Sequence, residues 1–328
     1  MSDELLFDVP DGTFGAPGSG MRGADVPDTE LMEVIAAVEG RGDLASRFGN
    51  VFRQSIDEIL DGRRTKRYNF MSDKVSSVER SYLGAKAEII ARLEFDFGYG
   101  VDLDYLIAGH EVDAKFSGTG DWMIAPKNVG QICLVMQASE KTSNFSVGLV
   151  RANEGLLTPR ATRDKKRTLS AAGKMSVQWL VKDAPYPKNQ LMELWQADPA
   201  VVDSIFAASR SGQARVNELF LQMQEVVVNR TTVQTVAAQE DSSKRVRDAR
   251  LDLRSKGIVI FGHQKLHQKF AEGLGLIAPQ LGSWTSVQVC PAESDYCGPM
   301  FSIQGVSYRK ATVDDSTCEA PLLPKVPD

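Results

Sequence analysis

The chain reads as a mixed α/β domain joined to a second, mainly helical domain. Three features carry that reading: a helical repeat over 75–95 that runs into β-prone segments, a proline-bearing stretch at 181–189, and a helix-rich second half that closes on a strand at 257–263. At 328 residues the chain is long enough for two cores. Its 42% hydrophobic and 25% charged content is ordinary for a globular protein. No apolar run approaches the roughly 18 residues needed to span a bilayer. The start, MSDELLFDVPDG, is acidic and unlike a signal peptide, so a soluble, cytoplasmic protein without membrane contact is expected. Cys133, Cys290, Cys297 and Cys318 have no Cys-x-x-Cys spacing and no nearby His partner, which points to reduced thiols.

Residues 1–40 carry nine acids against one base, Arg22, and 1–27 are rich in Gly, Pro and Asp; the segment is expected to be an acidic N-terminal extension with a mobile tail. The first domain then covers 41–180. Helical patterns occupy 29–39 and 43–61, the second stopping at the turn signal Asp61-Gly62. DGRRTKRYNF (61–70) sets Arg63, Arg64, Lys66 and Arg67 beside two aromatic residues, a composition suited to a DNA backbone or to structural salt bridges. VSSVERSYLGAKAEIIARLEF (75–95) predicts one long amphipathic helix with Tyr82, Ile89, Ile90 and Leu93 on its apolar side. Strands are expected at 132–136 and 145–150, and VKDAPYPKN (181–189) is the linker. The stretch 151–182 holds eight bases against Glu154 and Asp164, the electrostatic footprint of phosphate contacts or a solvated face.

LDYLIAGHEVDAKFS (103–117) is the most informative segment. Tyr105-Leu106-Ile107 and 112–116 are short β-prone runs flanking Ala108-Gly109-His110-Glu111, which predicts a hairpin. Side chains alternate along a strand, so Asp113 and Lys115 share one face while Val112, Ala114 and Phe116 point into a core. With the turn centred near Gly109, Asp104 lies opposite 114 and 115. Two carboxylates and an ammonium then meet at the end of a sheet, an arrangement from which a surface hairpin gains nothing. An acid two residues before a Lys occurs here only as Asp113-Ala-Lys115 and Asp164-Lys-Lys166. The second sits in a polar run with no alternation and no hairpin.

In the second domain (190–328), 213–228 is helical. Thr231 or Thr232 can cap a short helix, VQTVAAQE. A break at Asp241-Ser242 leads into SSKRVRDARLDLRSKG, which Gly257 can end, and GIVIFGH follows as a strand. Helix, short helix, turn, basic helix and strand is the order of a winged helix-turn-helix, whose last helix would lay Lys244, Arg245, Arg247, Arg250 and Arg254 along DNA. Protein-interaction modules share that order.

DGRRTKRY, LEFDFGYGVDLDYLIAGHEVDAKFS, VGQICLV, GQARVNELF, KRVR and GIVIFGHQ together resemble the NaeI family of restriction endonucleases, in the same order from about residue 44 to EAPLLPK at 319–325. The resemblance implies a restriction-endonuclease-like nuclease domain and a topoisomerase-like domain containing a helix-turn-helix. It also implies a Type IIE homodimer that cuts one duplex while a second, effector duplex promotes cutting. On the same basis Asp104, Asp113 and Lys115 fall on a metal-dependent nuclease motif, and Glu88 on a further acidic position. Phosphodiester hydrolysis by that motif would use Mg²⁺, held by Asp104, Asp113 and the Ala114 carbonyl, with Glu88 joining through water or at a second metal. Lys115 would orient or help deprotonate the attacking water. A G·C-rich palindromic target and a cognate DNA methyltransferase in the same system are further implications.

Two other classes remain open at this point. A winged-helix regulator would bind DNA without cutting it. A strand-passage or ligase-like enzyme is disfavoured, because Ile59 stands where a Lys-x-Asp-Gly nucleophile would be needed before Asp61-Gly62.

Overall fold

The fold is that of a computed structural model describing residues 27–207 and 211–324. The tail expected over 1–27 therefore falls, up to residue 26, outside the described residues. Helix α1 (Thr29–Glu39) starts where the Asp28 carboxylate accepts from the Leu31 N–H, and it buries Val34 and Val38 one turn apart. Arg151 grips Asp28 at 2.5 Å and Glu30 at 2.8 Å. The last third of the expected extension is thus packed onto the first core, because its apolar stripe needs cover.

α2 (Leu44–Leu60) ends at Asp61, which takes the left-handed conformation at φ 45°, and a single turn, α3 (Gly62–Thr65), follows. The expected long helix over 75–95 is two: α4 (Ser77–Ser81), opened by a Ser76/Glu79 capping box, and α5 (Leu83–Phe95). Its apolar face also differs. Leu83, Ala87, Ile90, Ala91 and Phe95 are buried, whereas Tyr82, Ile89 and Leu93 are exposed. α5 packs on α2, and its inward face mixes small and large residues.

The strands of the first unit are β1 (Gly98–Tyr99), β2 (Tyr105–Ile107), β3 (His110–Ser117), β4 (Met123–Ile124), β5 (Ile132–Ser139), β6 (Asn144–Arg151), β7 (Arg167–Thr168) and β8 (Gln178–Pro185), with a short helix α6 (Ala171–Met175) before the last. Six of them form a sheet in the order β1-β2-β3-β5-β6-β8. Only β3 and β5 run parallel. β5 sends Ile132, Leu134 and Met136 into the core under α2 and α5. Cys133 and Val135 go into a second core on the opposite face, around Trp122 and Ile124 of the β4–β7 side. A strand buried on both faces reads as an unbroken apolar run, which is why ICLVM is legible.

The stretch expected as a linker is occupied up to Pro185 by β8. Val181 and Tyr186 are buried in the first core, and the Tyr186 hydroxyl donates to Glu140 at 2.6 Å. Arg53 meets Asp57 at 2.7 Å and Glu140 at 3.2 Å in the same buried network.

The second unit contains α7 (Gln190–Ala197), α8 (Pro199–Ile205), α9 (Gly212–Gln222), β9 (Val227–Asn229), α10 (Arg230–Ala237), α11 (Ser242–Asp252), β10 (Ile258–Phe261), α12 (Lys265–Gly273), β11 (Ser283–Pro291), β12 (Met300–Ile303) and β13 (Val306–Lys310). It is an α+β unit rather than a mainly helical one. β11 pairs with β9, β10 and β13, and β12 closes a five-stranded antiparallel sheet. The helix expected over 213–228 stops at Gln222, because the β-branched Val227 and Val228 pair with β11 instead. Asn229, not a threonine, caps α10 by accepting from the Thr232 N–H. Gly257, at φ 75°, ends the turn after α11 as expected.

The two units meet where α3 lies on α10. A Cβ at Gly62 would fall 2.3 Å from the Thr235 hydroxyl, so only glycine permits this approach. Arg63 also pairs with Glu240, and Tyr68 stacks on Phe206 with ring centres 5.9 Å apart.

Two stability predictions follow from this packing. Replacing Arg53 with Met strands the buried Asp57 and Glu140 carboxylates and is expected to cost about 3–5 kcal/mol, read as a lower denaturant midpoint. His267, 3% exposed, is pushed down to about 4 by burial, with the Arg250 charge adding to the effect. The folded state therefore resists the proton that the unfolded chain accepts near the ordinary value of 6.5. Stability should be full above that pH and fall by about 3 kcal/mol as pH drops towards 4. A His267→Leu variant should lose this part of the slope in denaturation curves taken between pH 7.5 and 4.5.

Candidate active site

The hairpin turn is tighter than its sequence suggests. Ile107 pairs with His110, leaving Ala108 and Gly109 as a two-residue loop with φ of 53° and 83°. Positive φ at both positions is the signature of the turn whose twist matches paired strands. Tyr105 then pairs with Val112, and Asp104, just before β2, reaches Ala114 on β3. Along β3 the alternation holds: Val112 and Ala114 enter the helical core with Phe116 packed against it, and Asp113 and Lys115 face the other way.

Three expected residues meet there. Lys115 Nζ lies 2.6 Å from Asp113 Oδ2 and donates to the Ala114 carbonyl at 3.2 Å. Asp104 Oδ2 accepts from the Ala114 N–H at 2.6 Å. Asp113 is 4% exposed, and burial pushes its carboxyl up, with Lys115 opposing and Asp104 adding to the rise. Glu88, half-buried on α5, joins the same field: burial first, then the Asp104 charge, raise it to about 7. The Tyr105 hydroxyl ties the Glu88 carbonyl to β2 at 2.9 Å, which holds α5 against the hairpin.

Sequence reasoning missed three residues of this neighbourhood. The Glu111 carboxylate accepts from the N–H groups of Val101, Asp102 and Leu103 and so pins the loop that delivers Asp104. Those bonds, led by the one from Val101, hold its carboxyl below the usual range. Its place two residues before Asp113 on a strand was the available signal. Asn128 Nδ2 donates to Asp113 Oδ2 at 2.6 Å. Cys133, paired across β5 with Asp113, sets its thiol 3.8 Å from the same oxygen, and burial pushes it up to about 12. Neither Asn128 nor Cys133 gives a local sequence signal, since each arrives through the β3–β5 pairing.

Among the described residues no three His, Cys, Asp or Glu side chains converge as a ready cage for a metal. The donor set present is two carboxylates, each with one oxygen engaged by N–H donors, and a backbone carbonyl. Hard oxygen ligands of that number fit Mg²⁺, which keeps several waters and takes one or two carboxylates.

The expected DNA-contacting cations separate into two kinds. Arg64 and Lys66 are exposed, with Arg64 paired to its neighbour Asp61 at 2.7 Å. Arg63 is engaged with Glu240 between the units. Arg67 is not a surface cation: it donates to the Ile59, Leu60 and Lys74 carbonyls and to Glu79 at 2.8 Å, closing the end of α2. On α11, Lys244 and Arg247 are exposed, Arg245 donates to Gln239 at 2.6 Å, and Arg250 donates to the Ile260 carbonyl at 2.8 Å. In the basic stretch 151–182, Arg151, Arg167 and Lys174 are spent on ion pairs, and Arg160, Arg163, Lys165 and Lys166 stand on an exposed loop.

Carboxylates and a lysine gathered on one strand of a mixed sheet are groups suited to phosphodiester chemistry, and the comparisons give the class, that of the type II restriction endonucleases. The sequence model for "Restriction endonuclease NaeI" matches residues 32–319. The type II restriction enzyme NaeI of Lentzea aerocolonigenes is 38% identical over 308 residues, 91% of this chain and 96% of that protein. The chain belongs to the NaeI restriction endonuclease family, and it is a site-specific nuclease of a restriction–modification system acting on DNA. No helix among the described residues is long and apolar enough to cross a membrane.

Replacing Glu111 with Ala is expected to release the loop before Asp104. Amide exchange should speed up at Val101 to Leu103 while β5 stays protected, and DNA cleavage should slow roughly tenfold to a hundredfold from the displaced carboxylate.

Proposed function

We propose that this nuclease makes Mg²⁺-dependent double-strand cuts at a G·C-rich palindrome, with catalysis by Asp104, Asp113, Lys115 and Glu88. The observation that carries the reading is the convergence of Asp104, Asp113 and Lys115 on the Ala114 peptide. Asp104, Asp113 and the Ala114 carbonyl would hold the ion, with Glu88 reaching it through water or at a second ion. Bound there, Mg²⁺ would supply charge to the scissile phosphate and a more acidic water.

The chain's own groups do the rest. Three donors converge on Asp113 Oδ2, from Lys115, Asn128 and Cys133, and the other oxygen of that carboxylate would be the ligand atom. Lys115 orients the attacking water and meets the negative charge that builds on the phosphoryl oxygens. Burial on the Asp113 side keeps that field strong. Water adds to phosphorus and the 3′-oxygen leaves, so products carry 5′-phosphates.

Cutting both strands calls for two such centres, and a homodimer would supply them. Exposed apolar side chains on α5 and the outer sheet edge, Leu93, Tyr99 and Leu106 among them, support an assembly on this side. The second unit is read as a winged helix-turn-helix-type domain binding a second, effector duplex, with α10 and α11 as its helices. Lys244 and Arg247 would lie nearest the phosphates; Arg245 and Arg250 would act from more shielded positions. Arg63, Arg64 and Lys66 extend the basic surface at the joint between the units. A cognate methyltransferase and a cytoplasmic setting accompany such an enzyme.

Supercoiled plasmid of known sequence provides the test. Discrete linear fragments should form with Mg²⁺, not with EDTA, and Asp113→Ala or Lys115→Ala should slow cutting roughly a thousandfold or more. Intact cleavage by Asp113→Ala, or in EDTA, would sink the proposed centre. Adding short cognate duplexes should stimulate the wild type, and a Lys244→Ala/Arg247→Ala variant should lose the stimulation while keeping basal cutting. Unchanged stimulation would remove α11 from the effector site.

A further inference from the structure

We infer that Asn128 is a positioning residue for the nuclease centre. Its task is to hold one Asp113 oxygen so that the other is presented to the metal. The inference rests on the proposed metal centre and adds to it a residue from outside the hairpin.

Asn128 closes a short 3-10 turn, Pro126–Asn128, in the connection between β4 and β5. The turn is held at both ends, by the Asn128 N–H to the Ala125 carbonyl at 2.9 Å and the Gln131 N–H to the Asn128 carbonyl at 3.2 Å. Proline at its first position restricts the backbone further. The side chain is 3% exposed and has little freedom to look elsewhere. Its Nδ2 donates to Asp113 Oδ2 at 2.6 Å, the oxygen that Lys115 also approaches at 2.6 Å.

Swapping the amide ends would put two oxygens together at Asp113, so the amide is oriented by its donation to that carboxylate. Lys115 alone would not serve, because it must be free to turn towards the phosphate. With Lys115 engaged on the substrate, Asn128 still anchors the carboxylate.

Mn²⁺ titration of the full chain, followed by the electron paramagnetic resonance signal of the free ion, tests this without using activity. Wild type, Asp113→Ala, Asn128→Ala, Asn128→Ser and Asn128→Leu are compared, with melting curves as the check on folding. Asn128→Ala should weaken Mn²⁺ binding roughly tenfold to a hundredfold, as loss of a group behind a metal ligand does. Asn128→Ser, which retains a donor, should recover part of the loss. Plasmid turnover should fall in the same order, with DNA affinity in EDTA unchanged. A folded Asn128→Ala that binds Mn²⁺ like the wild type overturns the inference and leaves the metal centre standing. If that variant does not fold, Asn128→Leu, close in size and without a donor, decides: a folded Asn128→Leu with wild-type Mn²⁺ affinity overturns the inference, and a weakened affinity supports it. Mn²⁺ binding that survives Asp113→Ala would remove the metal centre itself and the inference with it.

Discussion

A two-residue turn at Ala108-Gly109 sets the register on which the nuclease centre depends. Because Tyr105 pairs with Val112, the carboxylate that precedes β2 reaches the Ala114 N–H, next to the carboxylate inside β3. A longer turn would slide Asp104 along β3, and a shift of one residue would send Asp113 and Lys115 into the helical core. The flanking groups defend this register. Glu111 pins the loop before Asp104 through three backbone N–H groups, and the Tyr105 hydroxyl fastens β2 to α5. Both are local bonds with long consequences, since they fix the spacing between Glu88 and the two aspartates. Burial still pushes the Asp113 carboxyl up, and the Lys115 ammonium beside it offsets only part of that desolvation.

The second constraint is at the joint between the units. Gly62 lets α3 touch α10, and Arg63, Tyr68 and the buried Arg53 network lie along the same seam. α2 therefore carries the joint at one end and packs on α5, the helix of Glu88, along its length. Lys86 on α5 also meets Glu58 on α2 at 2.6 Å. The helix that bears Glu88 thus packs on α2, and α10 of the second unit packs on the single turn α3 that follows α2.

Much of the candidate site was legible because it is local. Asp104, Asp113 and Lys115 lie within one hairpin, and period-two alternation alone assigns their faces. α1 and α2 were legible from apolar periodicity, and β5 from an unbroken apolar run. The errors have a common origin in contacts from distant parts of the chain. The phase of α5 differs because Ala87 and Ala91, small and weakly apolar, are buried with Leu83, Ile90 and Phe95 in the first core. Pro185 and Pro187 suggested a linker, while strand pairing with β6 keeps the chain in the sheet through Pro185. Arg67 looked like a DNA-facing cation until the free carbonyls ending α2 claimed it. The five-stranded sheet escaped because β11 is assembled from partners both before and after it.

The amino-acid sequence by itself determined the hairpin, the acidic and basic residue types of the centre, the chemistry those types can perform, and the family to which the chain belongs. Tertiary structure decided which groups surround that centre. Asn128 and Cys133 reach Asp113 only because β3 and β5 lie parallel, a pairing whose connection runs through a loop with no periodic signal. It also decided which cations remain exposed, since an arginine's availability depends on what carboxylate or carbonyl folding brings within its reach. Alternation and capping act over a few residues and can be read in order along a chain. Strand pairing at long range and the competition for buried hydrogen-bond donors depend on the whole fold, and they exist only once it has closed.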